Sequence, residues 1–257
     1  MTKAKKEKSK TFEETLLPFG YRYSLREVFE DFVDMTICSV SQNPLTGKSY
    51  YEDEYLDIIE KYKDDDLRHE LPKLFALLSL EMEERWYDSL GFDVLGSFYE
   101  KHLYEKGKAQ FFTPWPICVF MAKINMADFQ ERNETLKILD PCVGAGRMPM
   151  CAMREIGQNH EFYGIDIDPL CVKMSALNFF LSGMFNSEVM CADALSPDDF
   201  RVSYRISMFP LGIFKVTEKE QSRLWRLHRN SFIKNQSRKE APVFQEGLGK
   251  GQQIQLL

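Results

Sequence analysis

The sequence predicts an α/β fold: a parallel sheet preceded by a helical N-terminal region. Three observations predict it. The first hundred residues place apolar side chains at helical spacing and carry no strand signal. After Lys106, short apolar runs alternate with helical stretches, the pattern of β-α-β units with right-handed crossovers. Three of those apolar runs end at an acidic residue in a turn: Asp140, Asp166 and Asp193.

Residues 1–20 are expected to be a disordered basic tail, because MTKAKKEKSK offers almost nothing to bury. Residues 21–105 form the helical region. Ser24 and Glu27 make a capping-box pair, and Leu25, Val28, Phe29, Phe32 and Val33 follow at helical spacing up to about Val40. Asn43-Pro44-Leu45-Thr46-Gly47 reads as a loop. Helical patterns resume at 51–62 and 70–88, separated by the solvated run Asp64-Asp65-Asp66, and again from Asp93 to Tyr104.

Residues 106–235 form the α/β unit. Thr113-Pro114 is a helix start, with a capping residue before proline at the first helical position. Strands are expected at Leu136–Asp140, Phe162–Ile165 and Glu188–Cys191, with one more near 204–216. Helices are expected over 147–156, from the Asp168-Pro169 cap to Leu181, and from the capping-box pattern Thr217-Glu-Lys-Glu220. Residues 236–257, rich in Gly and Gln, read as a flexible tail.

No run approaches the roughly 20 apolar residues of a membrane helix. The basic N-terminus has no apolar segment behind it, so the expected location is the cytoplasm. Six cysteines lack any C-x-x-C spacing and the four histidines are far apart, so no metal site is expected. Net charge is −6, unevenly spread. From Arg201 onward eleven Lys/Arg face four Glu, which makes this segment +7 and leaves −13 for the rest. Such a basic segment suits either DNA phosphates or a solvated surface.

The most informative stretch is Asp140-Pro141-Cys142-Val143-Gly144-Ala145-Gly146-Arg147, between a strand and a helix. Glycines there let a ligand approach the backbone beside a helix N-terminus. A dinucleotide fingerprint would need a third glycine where Pro149 stands. It would also leave Asp140 awkwardly near a pyrophosphate, whereas a carboxylate suits a ligand with an amino group and a sulfonium. Asp166, 26 residues after Asp140, is placed to accept ribose hydroxyls. Asp193 is placed to accept from an adenine amino group, with Ala194 and Leu195 following.

These segments resemble motifs I to III of N6-adenine DNA methylases, most closely the modification subunits of type I restriction systems. The matching residues are Asp140-Pro141-x-x-Gly144-x-Gly146, Gly164-x-Asp166-x-Asp168-Pro169 with Ala176 and Asn178, and Ala192-Asp193-Ala194-Leu195. Asp93–Glu100 and Gln110-Phe111-Phe112-Thr113-Pro114 resemble the stretch preceding motif I, so the likeness spans roughly residues 90–200. It implies a Rossmann-like methyltransferase sheet that binds S-adenosylmethionine (SAM). By the same resemblance Asp140 would hold the amino group, Gly144 and Gly146 the close turn, Asp166 the ribose and Asp193 the adenine. Phe111, Thr113 and Pro114 would cover the methionine end.

The family's Asn/Asp-Pro-Pro-Tyr/Phe motif, which binds the flipped base, does not follow motif III here. Phe209-Pro210-Leu211 is the nearest relic, and the one Asn-Pro pair is Asn43-Pro44. No catalytic residue is therefore assigned, and the sheet is expected to be incomplete, as in a truncated or divergent relative. Two functions follow: adenine-N6 methylation of DNA in a restriction-modification type system, or SAM binding without transfer in a regulatory or partner subunit. DNA, through the basic C-terminal segment, and a partner subunit are the expected partners.

Overall fold

The computed structural model describes residues 10–104, 111–129, 134–196, 198–240 and 254–256. Residues 1–9 of the expected N-terminal tail lie outside that set. The rest of it is corrected, because α1 (Phe12–Leu16) and a following turn of 3₁₀ helix fold against the core. Thr11 caps α1 in a capping box with Glu14. Phe12, Leu16 and Phe19 are fully buried, each gaining roughly 1.5–3 kcal/mol by leaving water.

The helical region continues with α2 (Leu25–Val40), α3 (Glu52–Lys61), α4 (Leu71–Glu84) and α5 (Val94–Phe98), which widens into a π-type turn at Tyr99–Leu103. Ser24 caps α2 by accepting from the Glu27 amide. Next comes α6 (Trp115–Met126), capped by Pro114, one residue later than expected. Then β1 (Lys137–Asp140), α7 (Arg147–Ile156), β2 (Glu161–Asp166), α8 (Pro169–Leu181) and β3 (Ser187–Cys191) follow in alternation. The chain finishes with β4 (Val202–Met208), β5 (Leu211–Val216), α9 (Arg223–Glu240) and β6 (Ile254–Leu256).

The fold is α/β, with one sheet in the order β5-β4-β3-β2-β1-β6. β1, β2, β3 and β6 run parallel, but β4 pairs antiparallel with both β3 and β5. The sheet is thus mixed, and the single strand expected near 204–216 is a hairpin. Only Phe209 and Pro210 separate its strands, and a parallel crossover needs a dozen residues or more. The expected flexible tail is also corrected in part, since residues 236–240 continue α9 and residues 254–256 pair with β1. Residues 241–253 and 257 lie outside the described residues.

Alternate strand residues serve two faces. Ile138, Phe162 and Val189 join the large core with α7, α8 and the N-terminal helices. Leu139, Tyr163, Ile165 and Met190 pack on the other face against Leu224 and Trp225 of α9. α8 is buried nearly all round because α2 covers the side turned away from the sheet, and Lys173 reaches back to Asp34 at 2.7 Å. No helix among the described residues is long and apolar enough to cross a membrane.

Candidate cofactor site

β1 delivers Asp140 to the carboxyl edge of the sheet, and the chain turns at once into α7. The Val143 amide donates to the Ile165 carbonyl at 2.9 Å, which anchors the turn to β2. The Gly144 amide donates to Asp166 Oδ2 at 2.8 Å, and the Asp168 amide donates to Oδ1 at 2.9 Å. Asp168 in turn caps α8 by accepting from Leu170 at 2.8 Å. Gly144 (φ +54°) and Gly146 (φ +88°) hold left-handed backbone, which side chains resist.

Gly144 also faces Phe112 closely, since a Cβ there would stand 2.8 Å from the ring. We expect Gly144→Ala to cost about 2 kcal/mol or more, by backbone strain and by displacing Phe112. Chemical denaturation measures it, and a cost below about 0.5 kcal/mol would show that the loop adapts.

Asp140, Gly144, Asp166, Phe111 and Thr113 line one cleft of about 480 Å³, within the usual range for small-ligand sites. Asp140 is 7% exposed, and its Oδ1 accepts from the Cys142 amide at 2.9 Å. Burial, with the nearby Asp166 charge adding, pushes its carboxyl up to about 6. Burial also raises Asp166, against the Asp168 and Gly144 amides that favour its charged form. Two desolvated carboxyls side by side favour a ligand that brings positive charge and hydrogen-bond donors.

Other expected residues stand outside the lining. Pro141 and Gly146 shape the turn, and Pro114 caps α6. Asp193 sits at the carboxyl end of β3, one strand along from Asp166, and its Oδ1 accepts from the Leu195 amide at 2.9 Å. The Ala194 carbonyl accepts from the His228 ring at 2.9 Å. Sequence reasoning assigned no role to Arg147, Asp93, Glu100 or Asn178. The hydrogen bonds that join these four to one another span 47 to 85 residues of chain, and no local pattern signals them.

The structure places Phe209-Pro210 at the wrong end of the sheet for a base-binding motif. Cys191 pairs with Val202 and Ser187 with Ile206, so the β4–β5 turn lies beyond the amino end of β3. The cleft lies at the carboxyl ends of the parallel β1 and β2. Phe209 is 87% exposed there. Asn43-Pro44 lies beyond α2, in the loop closed by the Gln42–Ser49 bridge beside β5.

Residues 91–233, more than half of the chain, match the family described as N-6 DNA methylase. The chain belongs to the N-6 DNA methylase family. Among solved structures it is similar to the methyltransferase subunit of a type I restriction-modification system from Streptococcus thermophilus. That match has 16% identity and a TM-score of 0.37, covering 73% of this chain and 57% of that one. A second similar structure, from Vibrio vulnificus YJ016, is assigned as a modification subunit of a type I restriction enzyme. Here the identity is 20% and the TM-score 0.35, over 60% of this chain and 33% of that one. This member of the family therefore spans less than two thirds of either protein.

Proposed function

We propose that this N-6 DNA methylase family chain binds SAM in the cleft, as part of a system that transfers its methyl group to N6 of adenine in DNA. The observation that carries the reading is the pair Asp140 and Asp166, on adjacent strand ends, facing one cleft behind a glycine turn. The residues fit the cofactor. Asp140, whose charged form burial disfavours, would gain its missing counter-charge from the ammonium and sulfonium. Asp166, already fixed by two amides, would accept the ribose hydroxyls. When bound, SAM supplies an electrophilic methyl group on sulfur, and the chain's task is to hold and orient it. Phe111, 76% exposed at the cleft, and Thr113 would shield the methionine end.

A second reading is SAM binding without transfer, in a regulatory or partner subunit. It is favoured by the position of Phe209-Pro210, which cannot serve a base presented at the cleft. The basic C-terminal segment gives DNA binding little support among the described side chains. Arg201, Arg205, Lys215 and Arg229 are within ion-pair reach of Asp199, Glu188, Glu54 and Asp198. Lys219 lies over the Trp225 ring, and Arg226 bonds the Ser222 carbonyl. Six of these charges are thus engaged locally.

Calorimetric titration of SAM tests the common core of both readings. Asp166→Asn, which turns one acceptor into a donor, is expected to weaken binding roughly tenfold, about 1.4 kcal/mol. Equal affinity in the variant would remove Asp166 from the site. Transfer of labelled methyl from SAM to adenine-containing DNA then separates the readings: incorporation supports the enzyme, and binding without incorporation supports the silent relative.

A further inference from the structure

The parts of the cleft converge on Arg147, at the first position of α7. Its side chain is only 10% exposed, and each of its three guanidinium nitrogens has a hydrogen-bond partner. Nε donates to Asp93 Oδ2 at 2.6 Å and Nη2 to Glu100 Oε2 at 2.8 Å. Nη1 donates to the Thr113 carbonyl at 3.4 Å, and the guanidinium carbon lies 5.4 Å from the Phe112 ring centroid. Glu100 Oε1 takes the Phe112 amide at 3.2 Å. Asp93 Oδ1 accepts from the Gly96 amide and from Asn178, whose amide also donates to the Ala145 carbonyl in the glycine turn. One guanidinium and two carboxylates therefore tie α5, the Phe112–Thr113 strap, the glycine turn and α8 together.

The charges matter as much as the tethers. Arg147 lines the same cleft as Asp140 and Asp166. An uncompensated guanidinium there would repel a cationic ligand through a medium that screens less than water. Asp93 and Glu100 cancel it twice over. We propose that Arg147 is the positioning residue of the cleft, pinning the strap to the glycine turn, and that Glu100 with Asp93 makes the cleft favour a sulfonium over its uncharged thioether. The second half rests on the proposed SAM binding; the first does not.

The two halves have separate readouts. SAM and S-adenosylhomocysteine share their adenosine, ammonium and carboxylate groups but differ by one methyl group and the sulfonium charge, so the change in their affinity ratio when one protein charge is removed reports on that charge. Glu100→Gln, close in shape but neutral, is expected to weaken SAM about tenfold more than S-adenosylhomocysteine. Glu100→Asp, which keeps the charge, is expected to leave the ratio near that of the native chain. A loosened strap alone would weaken both ligands by the same factor, and an unchanged ratio in Glu100→Gln overturns the electrostatic half.

The positioning half is read without any ligand, by hydrogen exchange at the Phe112 amide, which donates to Glu100. Arg147→Lys keeps the charge but loses the planar fork. It is expected to speed exchange at Phe112 tenfold or more while the β1–β3 amides stay protected, which also reports that the chain is folded. Unchanged protection at Phe112 overturns the positioning role. If the native chain binds neither ligand, the SAM reading and the electrostatic half fall together, while the exchange result still decides the positioning half.

Discussion

Asp140→Asn should make the ligand-free chain more stable and its cofactor binding worse. Folding moves the Asp140 carboxyl from its ordinary 3.8 up to about 6, chiefly by burial. A carboxyl whose folded pKa is raised binds its proton more tightly in the native state. Its contribution therefore favours folding at low pH and is lost as pH rises from about 4 through 6. Above that window the buried charge costs roughly 3 kcal/mol. Asparagine never ionises, and its oxygen can still accept from the Cys142 amide. The variant should thus match the native chain near pH 4 and exceed it by about 2–3 kcal/mol at pH 7.5 in urea denaturation at each pH.

Binding of a cationic ligand should move the opposite way, because that ligand pairs with the ionised form. Native SAM affinity should fall as pH drops below about 6, and Asp140→Asn should lose on the order of a hundredfold at pH 7.5. A stability difference that does not change with pH would mean that Asp140 is not the strained group. The combination is what a site under functional constraint produces: a buried charge retained at the expense of stability.

The parts of the site legible in the sequence are those whose physics is local. Asp140, Gly144, Asp166 and Asp168 are set by strand ends, a left-handed turn and a helix cap, each readable within about seven residues. The alternation of β1, α7, β2, α8 and β3 was legible for the same reason. Elsewhere the fold departs from what the local pattern of residues suggests. Phe209-Pro210-Leu211-Gly212 is apolar across a turn, so a hairpin read as one strand. Thr217 and Glu220 spell a capping box, yet α9 starts at Arg223, where Ser222 accepts from the Trp225 amide at 2.9 Å. The link between Asp93 and Arg147 crosses 54 residues and was invisible.

The residue that moves the α9 start is Glu188, and Glu188→Ala should be among the most destabilising single changes in the chain. Glu188 is fully buried in β3, where strand periodicity gives no warning of an acid. Its Oε1 accepts from Ser203 at 2.7 Å and from Ser222 at 2.5 Å. Its Oε2 accepts from the Arg223 amide at 3.1 Å and lies 3.5 Å from Arg205 Nε. One carboxylate thus fixes the antiparallel partner β4 and supports Ser222, the cap of α9. Alanine would leave those hydroxyls and the helix N-terminus without their acceptor, at a cost of about 4 kcal/mol. Glu188→Gln, which retains an acceptor, should cost less than half as much. Because α9 carries Leu224 and Trp225 onto the side of the parallel strands opposite the large core, the damage should begin there. Acrylamide quenching of Trp225, isolated by comparison with a Trp225→Phe chain, should rise at urea concentrations that leave the rest of the chain folded. Quenching that rises only with global unfolding would show that apolar packing alone docks the helix, and that the carboxylate serves β4.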